Sequence, residues 1–154
     1  MLADLLRIKR RREDDAVAAV AEAKAALERR REACRAKERE LEEYRTWQVA
    51  EKERLYAKVH HRNVTKDILE KYREQLGMIR QRELQIEEER TQAEREAADA
   101  QGTLERAQQR RIEAHREVVK FEEYQQTLDA ERLRDAQRKE DEETEDVVSS
   151  RFRT

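Results

Sequence analysis

The chain has 154 residues, of which 47% are charged and only 5% aromatic, with no proline and a formal net charge of −2. So polar a chain cannot wrap a broad globular core, and its near-neutral balance gives no bulk attraction to nucleic acid or to a membrane surface. One cysteine allows no internal disulfide, which suits a reducing cytosol, and no apolar run approaches the ~18 residues of a membrane span.

The opening stretch MLADLLRIKRRR lacks the apolar segment of a secretory signal. Within it RIKRRR (7–12) carries five positive charges: Arg7, Lys9, Arg10, Arg11 and Arg12. From there the spacing predicts a first coiled-coil arm over residues 1–62. Leu6, Val20, Leu27, Cys34, Leu41 and Leu55 share one heptad position, with Glu13 and Gln48 as exceptions. The companion position holds Lys9, Ala16, Ala23, Arg30, Lys37, Tyr44 and Glu51. Two such positions, three and four residues apart, face one neighbour along a helix.

A turn is predicted at 63–65, although neither glycine lies there. Asn63 can end a helix in the left-handed conformation. Thr65 can cap the next helix, with Asp67 near its positive start. Val64 and Leu69 occupy the two positions of a hydrophobic staple. The Asn-Val-Thr sequence there matches a glycosylation signal and is read as chance.

The second arm, with an overhang, is predicted over residues 66–138. Tyr72, Ile79, Ile86, Ala93, Ala100, Ala107, Ala114, Phe121 and Leu128 are apolar residues spaced by seven. The position three residues earlier is mixed, running from Leu69 and Leu76 through Glu83 and Arg90 to Val118 and Gln125. Folding the chain at the turn sets Leu55 opposite Tyr72, Leu41 opposite Ile86, Leu27 opposite Ala100 and Leu6 opposite Phe121. That register puts Lys37 near Arg90, so both must reach outward on their stems. Leu5, Leu6 and Ile8 are expected to gather with Val118, Val119 and Phe121. The run KEDEETED (139–146) and the residues after it predict an acidic, partly disordered tail over 139–154. The fold class is therefore all-α, an antiparallel two-helix coiled-coil hairpin, expected as a monomer. A generic cytosolic coiled-coil scaffold, possible as a parallel dimer, is the alternative; disorder of the whole chain conflicts with sustained heptads.

A two-helix hairpin offers no enclosed pocket in which catalytic groups could converge. No catalytic residues, cofactor or metal site are expected: the adjacent His60 and His61 point apart on a helix, and Cys34 reads as a small buried hydrophobe. The basic run is too short and too soon followed by Glu-Asp-Asp to read bases as a leucine-zipper factor does, so nucleic acid is not an expected partner.

EYRTWQVAEKERLY (43–56) resembles the YscO proteins of bacterial type III secretion, through the spacing of Tyr44, Trp47, Glu51, Arg54, Leu55 and Tyr56. LEKYREQLGMIRQRE (69–83) and LLRIKRRR (5–12) extend the resemblance on the other side of the turn and at the start. The family is similar to the flagellar protein FliJ and, in shape, to the γ subunit of rotary F-type ATPases. The resemblance implies a stalk that sits in the hexameric secretion ATPase, reaches toward the export gate of the inner membrane and engages translocator chaperones. It implies a cytoplasmic place, peripheral at the inner-membrane apparatus, with no direct membrane insertion. Two contact surfaces follow: Tyr44, Trp47, Gln48, Tyr56 and Tyr72 near the turn for the export gate or a chaperone, and Arg7, Lys9, Arg10, Arg11 and Arg12 at the open end for the ATPase.

Overall fold

Ala, Glu, Lys and Arg dominate the chain, and no proline interrupts it, so the helix propensity that these residues share is unopposed over long stretches. The computed structural model, which describes residues 1–60 and 63–153, contains two helices: α1 over Leu2–His60 and α2 over Lys66–Phe152. The expected end of the first arm at residue 62 lies outside the described residues, as does His61. Residues 63–65 are non-helical and form the link into α2. Thr65 caps it: its Oγ1 accepts the Ile68 amide at 3.4 Å and its carbonyl accepts the Leu69 amide at 3.1 Å, which supplies partners to amides that a helix start leaves open. The left-handed conformation expected of Asn63 turns on a dihedral that includes residue 62, outside the described residues. Val64 lines a cavity with Leu55, Val59, Ile68 and Tyr72.

Contacts divide the chain into two units, Met1–Val20 with Ala107–Thr154, and Ala21–Arg106. In each, a segment of α1 lies antiparallel to a segment of α2. Among the described residues the buried apolar side chains are Leu6, Val20, Ala23, Leu27, Leu41 and Leu55 of α1 and Ile79, Ile86, Ala93, Leu104, Ala107 and Val118 of α2. Every one of them falls on the heptad series read from the sequence. Leu41 and Ile86, expected to face each other, are the most deeply buried large side chains, at 2% and 1% exposure. Among the described residues no polar or charged one is buried.

Ion pairs flank the seam. In the first unit Lys9 pairs with Glu117 at 3.2 Å and Arg10 with Glu122 at 3.3 Å. In the second, Arg30 meets Glu96 at 2.8 Å and Lys37 meets Glu89 at 2.7 Å. Arg45 spans Glu83 and Glu87 at 3.1 and 2.8 Å. All are consistent with the expected register. The like-charge fault at Lys37 and Arg90 is resolved one residue away: Lys37 turns to Glu89 and Glu40, and Arg90 to Glu94 at 3.7 Å. Such exposed pairs contribute little individually, commonly under ~1 kcal/mol; their value here is that they reward one register over its neighbours.

Two expectations are corrected. Leu5, Ile8 and Val119 are not part of the packed cluster at the open end but are 46%, 45% and 36% exposed; they flank the heptad positions that Leu6 and Val118 occupy. Cys34 is half-buried rather than buried. α2 continues through 139–152 to Phe152. From residue 126 on, every described residue of α2 is exposed, so this overhang is helical through its own propensity and local contacts such as the Arg138–Asp135 pair at 2.6 Å.

Candidate partner-binding surfaces

Near the turn the aromatics separate into two groups. Tyr44 sits on the seam. Its hydroxyl donates to the Ile79 carbonyl at 3.0 Å, tying α1 to α2, and burial pushes the phenol above its ordinary range. Trp47, one turn on and outside the seam, tilts against it with ring centroids 5.3 Å apart. Together with Glu51, Leu55, Gln75, Met78, Ile79 and Arg82 these two rings line a shallow groove of about 360 Å³ between the helices. Trp47 is 50% exposed and Met78 68%, so the groove has a wide apolar rim.

Tyr72 belongs to a second cavity of about 300 Å³, beside Leu55, Val59, Val64 and Ile68. There it packs the turn and is half-buried. Tyr56 faces outward and stacks on His60 at 4.8 Å. Gln48 lies on the seam rather than on the rim. It lies close enough to Glu83 to help hold that carboxyl below its ordinary value, while its Oε1 is buried without a partner. Of the five residues expected to form one surface, the structure brings Tyr44 and Trp47 together, assigns Tyr72 and Gln48 to packing, and leaves Tyr56 on a separate face. The reading missed Met78 and Arg82. Both flank the heptad position of Ile79, and a methionine just off an apolar seam is the signal that could have marked the groove.

At the open end three of the five cations have internal partners. Arg7 pairs with Asp4 at 3.6 Å. Lys9, 20% exposed, pairs with Glu117 and lies 5.3 Å over the Phe121 ring, so its stem packs the seam. Arg10 pairs with Glu122. Arg11 and Arg12 are exposed and have no ion pair among the described residues, so they form the part of the basic run open to a partner.

Cys34, Glu38 and Glu94 bring one donor atom each within 4.8 Å of the others. Burial first, then the neighbouring Glu38, raises the Cys34 thiol above its ordinary value. Both favour the protonated thiol over the thiolate that a metal needs. No described helix is long and apolar enough to cross a membrane.

A long antiparallel helical hairpin, with a charged surface and an apolar groove near its turn, defines a coiled-coil protein built to present faces to partners. The family model of type III secretion protein YscO matches residues 2–150, and the chain belongs to that family; its role lies in type III secretion. In the crystal structure of type III secretion protein YscO from Vibrio parahaemolyticus the same fold recurs, with 29% sequence identity and a TM-score of 0.91 over 95% of this chain and 92% of that one. No curated protein gives a significant match.

Proposed function

We propose that this chain is the central stalk of a type III secretion export apparatus, cytoplasmic and peripheral at the inner membrane, joining the hexameric ATPase to the export gate and engaging translocator chaperones. The observation that carries the reading is the Trp47–Met78 groove. Trp47 and Met78 stand exposed at the rim of this groove, while the seam residues beside it, Leu41, Leu55, Ile79 and Ile86, are buried. Exposed aromatic and methionine side chains beside a packed seam are the composition of a protein contact. Arg11 and Arg12 supply an open cationic face for the ATPase, which would act mainly through encounter rate and orientation.

The test is a pulldown of purified chain with the cognate ATPase, with the cytoplasmic domain of the export gate and with a translocator chaperone. Trp47→Ala with Met78→Ala should abolish capture by the export gate or a chaperone while ATPase capture persists. Arg11→Glu with Arg12→Glu should do the reverse. Circular dichroism must show both variants as helical as the parent. Normal capture of all three partners by both folded variants would remove these surfaces from the function.

A further inference from the structure

α2 carries a second apolar stripe that the hairpin does not use. Ile112, Val119, Leu133 and Val147 are separated by multiples of seven residues, so they lie along one line of the helix. Their exposures are 46%, 36%, 69% and 52%. The intervening members of the series are Gln126 and Glu140. The stripe starts beside the seam and runs on into the overhang, where α1 offers no partner.

Charge along the same helix is divided about the middle of this stripe. Residues 110–120 hold Arg110, Arg111, Arg116 and Lys120 against Glu113 and Glu117. Residues 139–146 hold six carboxylates against Lys139. Among the described residues the three arginines have no ion-pair partner, and neither do the six carboxylates; Glu117 is already engaged by Lys9. The two stretches lie on one continuous helix, ~40 Å apart at 1.5 Å per residue, and cannot meet within a chain. The midpoint of the stripe, between Ile112 and Val147, falls between Asp129 and Ala130.

We propose that a second copy of this chain covers the stripe, antiparallel, with a two-fold axis between Asp129 and Ala130. In that arrangement residues 110–120 of each copy lie against residues 139–149 of the other. Ile112 comes beside Val147, and Leu133 beside Gln126. The receiving surface is present: Glu13, Gln108, Arg111, Ile112, His115 and Arg116 line a groove of about 660 Å³. Its chemistry, an exposed isoleucine with two arginines, matches a valine flanked by Glu143, Glu145 and Asp146. A parallel, in-register pairing would instead oppose like charges along the whole contact. The same surface serves both copies, as a two-fold contact requires. With four large apolar residues per copy the interface belongs to the small end of specific contacts, below about 1,200 Å² in total. The dimer is therefore concentration-dependent and salt-sensitive, and the monomer expected from the intrachain seam is its dilute state.

Sedimentation equilibrium of the full chain at low ionic strength tests this. The parent should dimerise reversibly as concentration rises and dissociate in ~0.5 M salt. One variant carries Arg110→Glu, Arg111→Glu and Arg116→Glu; another carries Glu140→Lys, Glu142→Lys and Glu143→Lys. Each alone should bind itself at least ~10-fold more weakly than the parent does. Mixed, the two should form a heterodimer, because each then faces opposite charge at both ends. Ala130→Cys in a Cys34→Ser background should crosslink to itself under mild oxidation, and Ala98→Cys in that background should not. A single species of one chain's mass at ~0.5 mM, self-association indifferent to both charge swaps, or failure of the mixed variants to pair would each overturn the proposal.

Discussion

Replacing Leu41 by alanine tests the seam at its most enclosed point. Leu41 is 2% exposed, and Ile86, which the register sets opposite it, is 1% exposed. The substitution removes three carbon groups from water-excluded surroundings, a transfer loss of ~2.4 kcal/mol at ~0.8 per group. In thick cores a residual cavity raises such losses toward ~5 kcal/mol. Here the seam is one layer of side chains between two helices, with Arg45, Thr46 and Glu38 around a groove at its edge, so solvent and neighbouring stems can close much of the space. The expected cost is therefore ~2–3 kcal/mol, at the low end of measured leucine truncations. For a chain of this size that corresponds to a fall in Tm of ~5–10 °C. Thermal unfolding followed by circular dichroism at 222 nm reads it, with Thr46→Ala, on the exposed face, as the comparison. A fall of under ~2 °C, or one no larger than that of Thr46→Ala, would mean that Leu41 does not face Ile86 and that the antiparallel register is wrong.

Gly77→Ala should stabilise the hairpin by ~0.5–1 kcal/mol, because a Cβ there meets nothing within 4 Å; an unchanged or lower Tm would reveal a hidden neighbour or a need for backbone freedom. Acid should weaken the second unit. Hydrogen bonds from Arg45 and then Gln48 hold the Glu83 carboxyl below its ordinary value, so its contribution is complete above the unfolded carboxylate range, ~4.3, and is lost as pH falls through the lower folded value. Tm should decline from pH 6 to pH 3, and Glu83→Gln should flatten that slope; a Tm that rises on acidification contradicts the sign.

The hairpin was largely legible because its physics is periodic. Leu6, Leu41, Leu55, Ile79 and Ile86 repeat at sevens, and a one-residue slip would rotate them off the seam, so the pattern alone selects the partner face. Thr65 was legible for a similar reason: a short hydroxyl before a helix has few better uses than capping it. What lies beside the seam was not legible. Spacing assigns a side chain to a face but not the direction a long stem takes, and so Lys9 was read as a partner cation although it packs on Phe121. Gln48 was read as a polar contact for the same reason, although it turns inward to Glu83. The groove at Trp47 and Met78 depends on how two helices from opposite ends of the sequence interlock, which one residue's neighbours in the chain do not disclose. The overhang over 126–138 was legible as helix from its composition, and α2 continues past it to Phe152 through the helical preference of its charged residues.

The overhang also gives the gene room for change in length. Insert seven residues into α1 and the segment before the insertion moves one heptad along α2, apolar positions still meeting apolar positions, while the overhang shortens by the same amount. Residues 126–152 hold enough free helix to absorb more than three such steps before α1 reaches the end of its partner. Insertions of one or two residues have no such refuge, since they turn one face of α1 away from the seam. Drift in the length of the arms is thus expected to come in sevens, with the unpaired end of α2 recording how much has been spent.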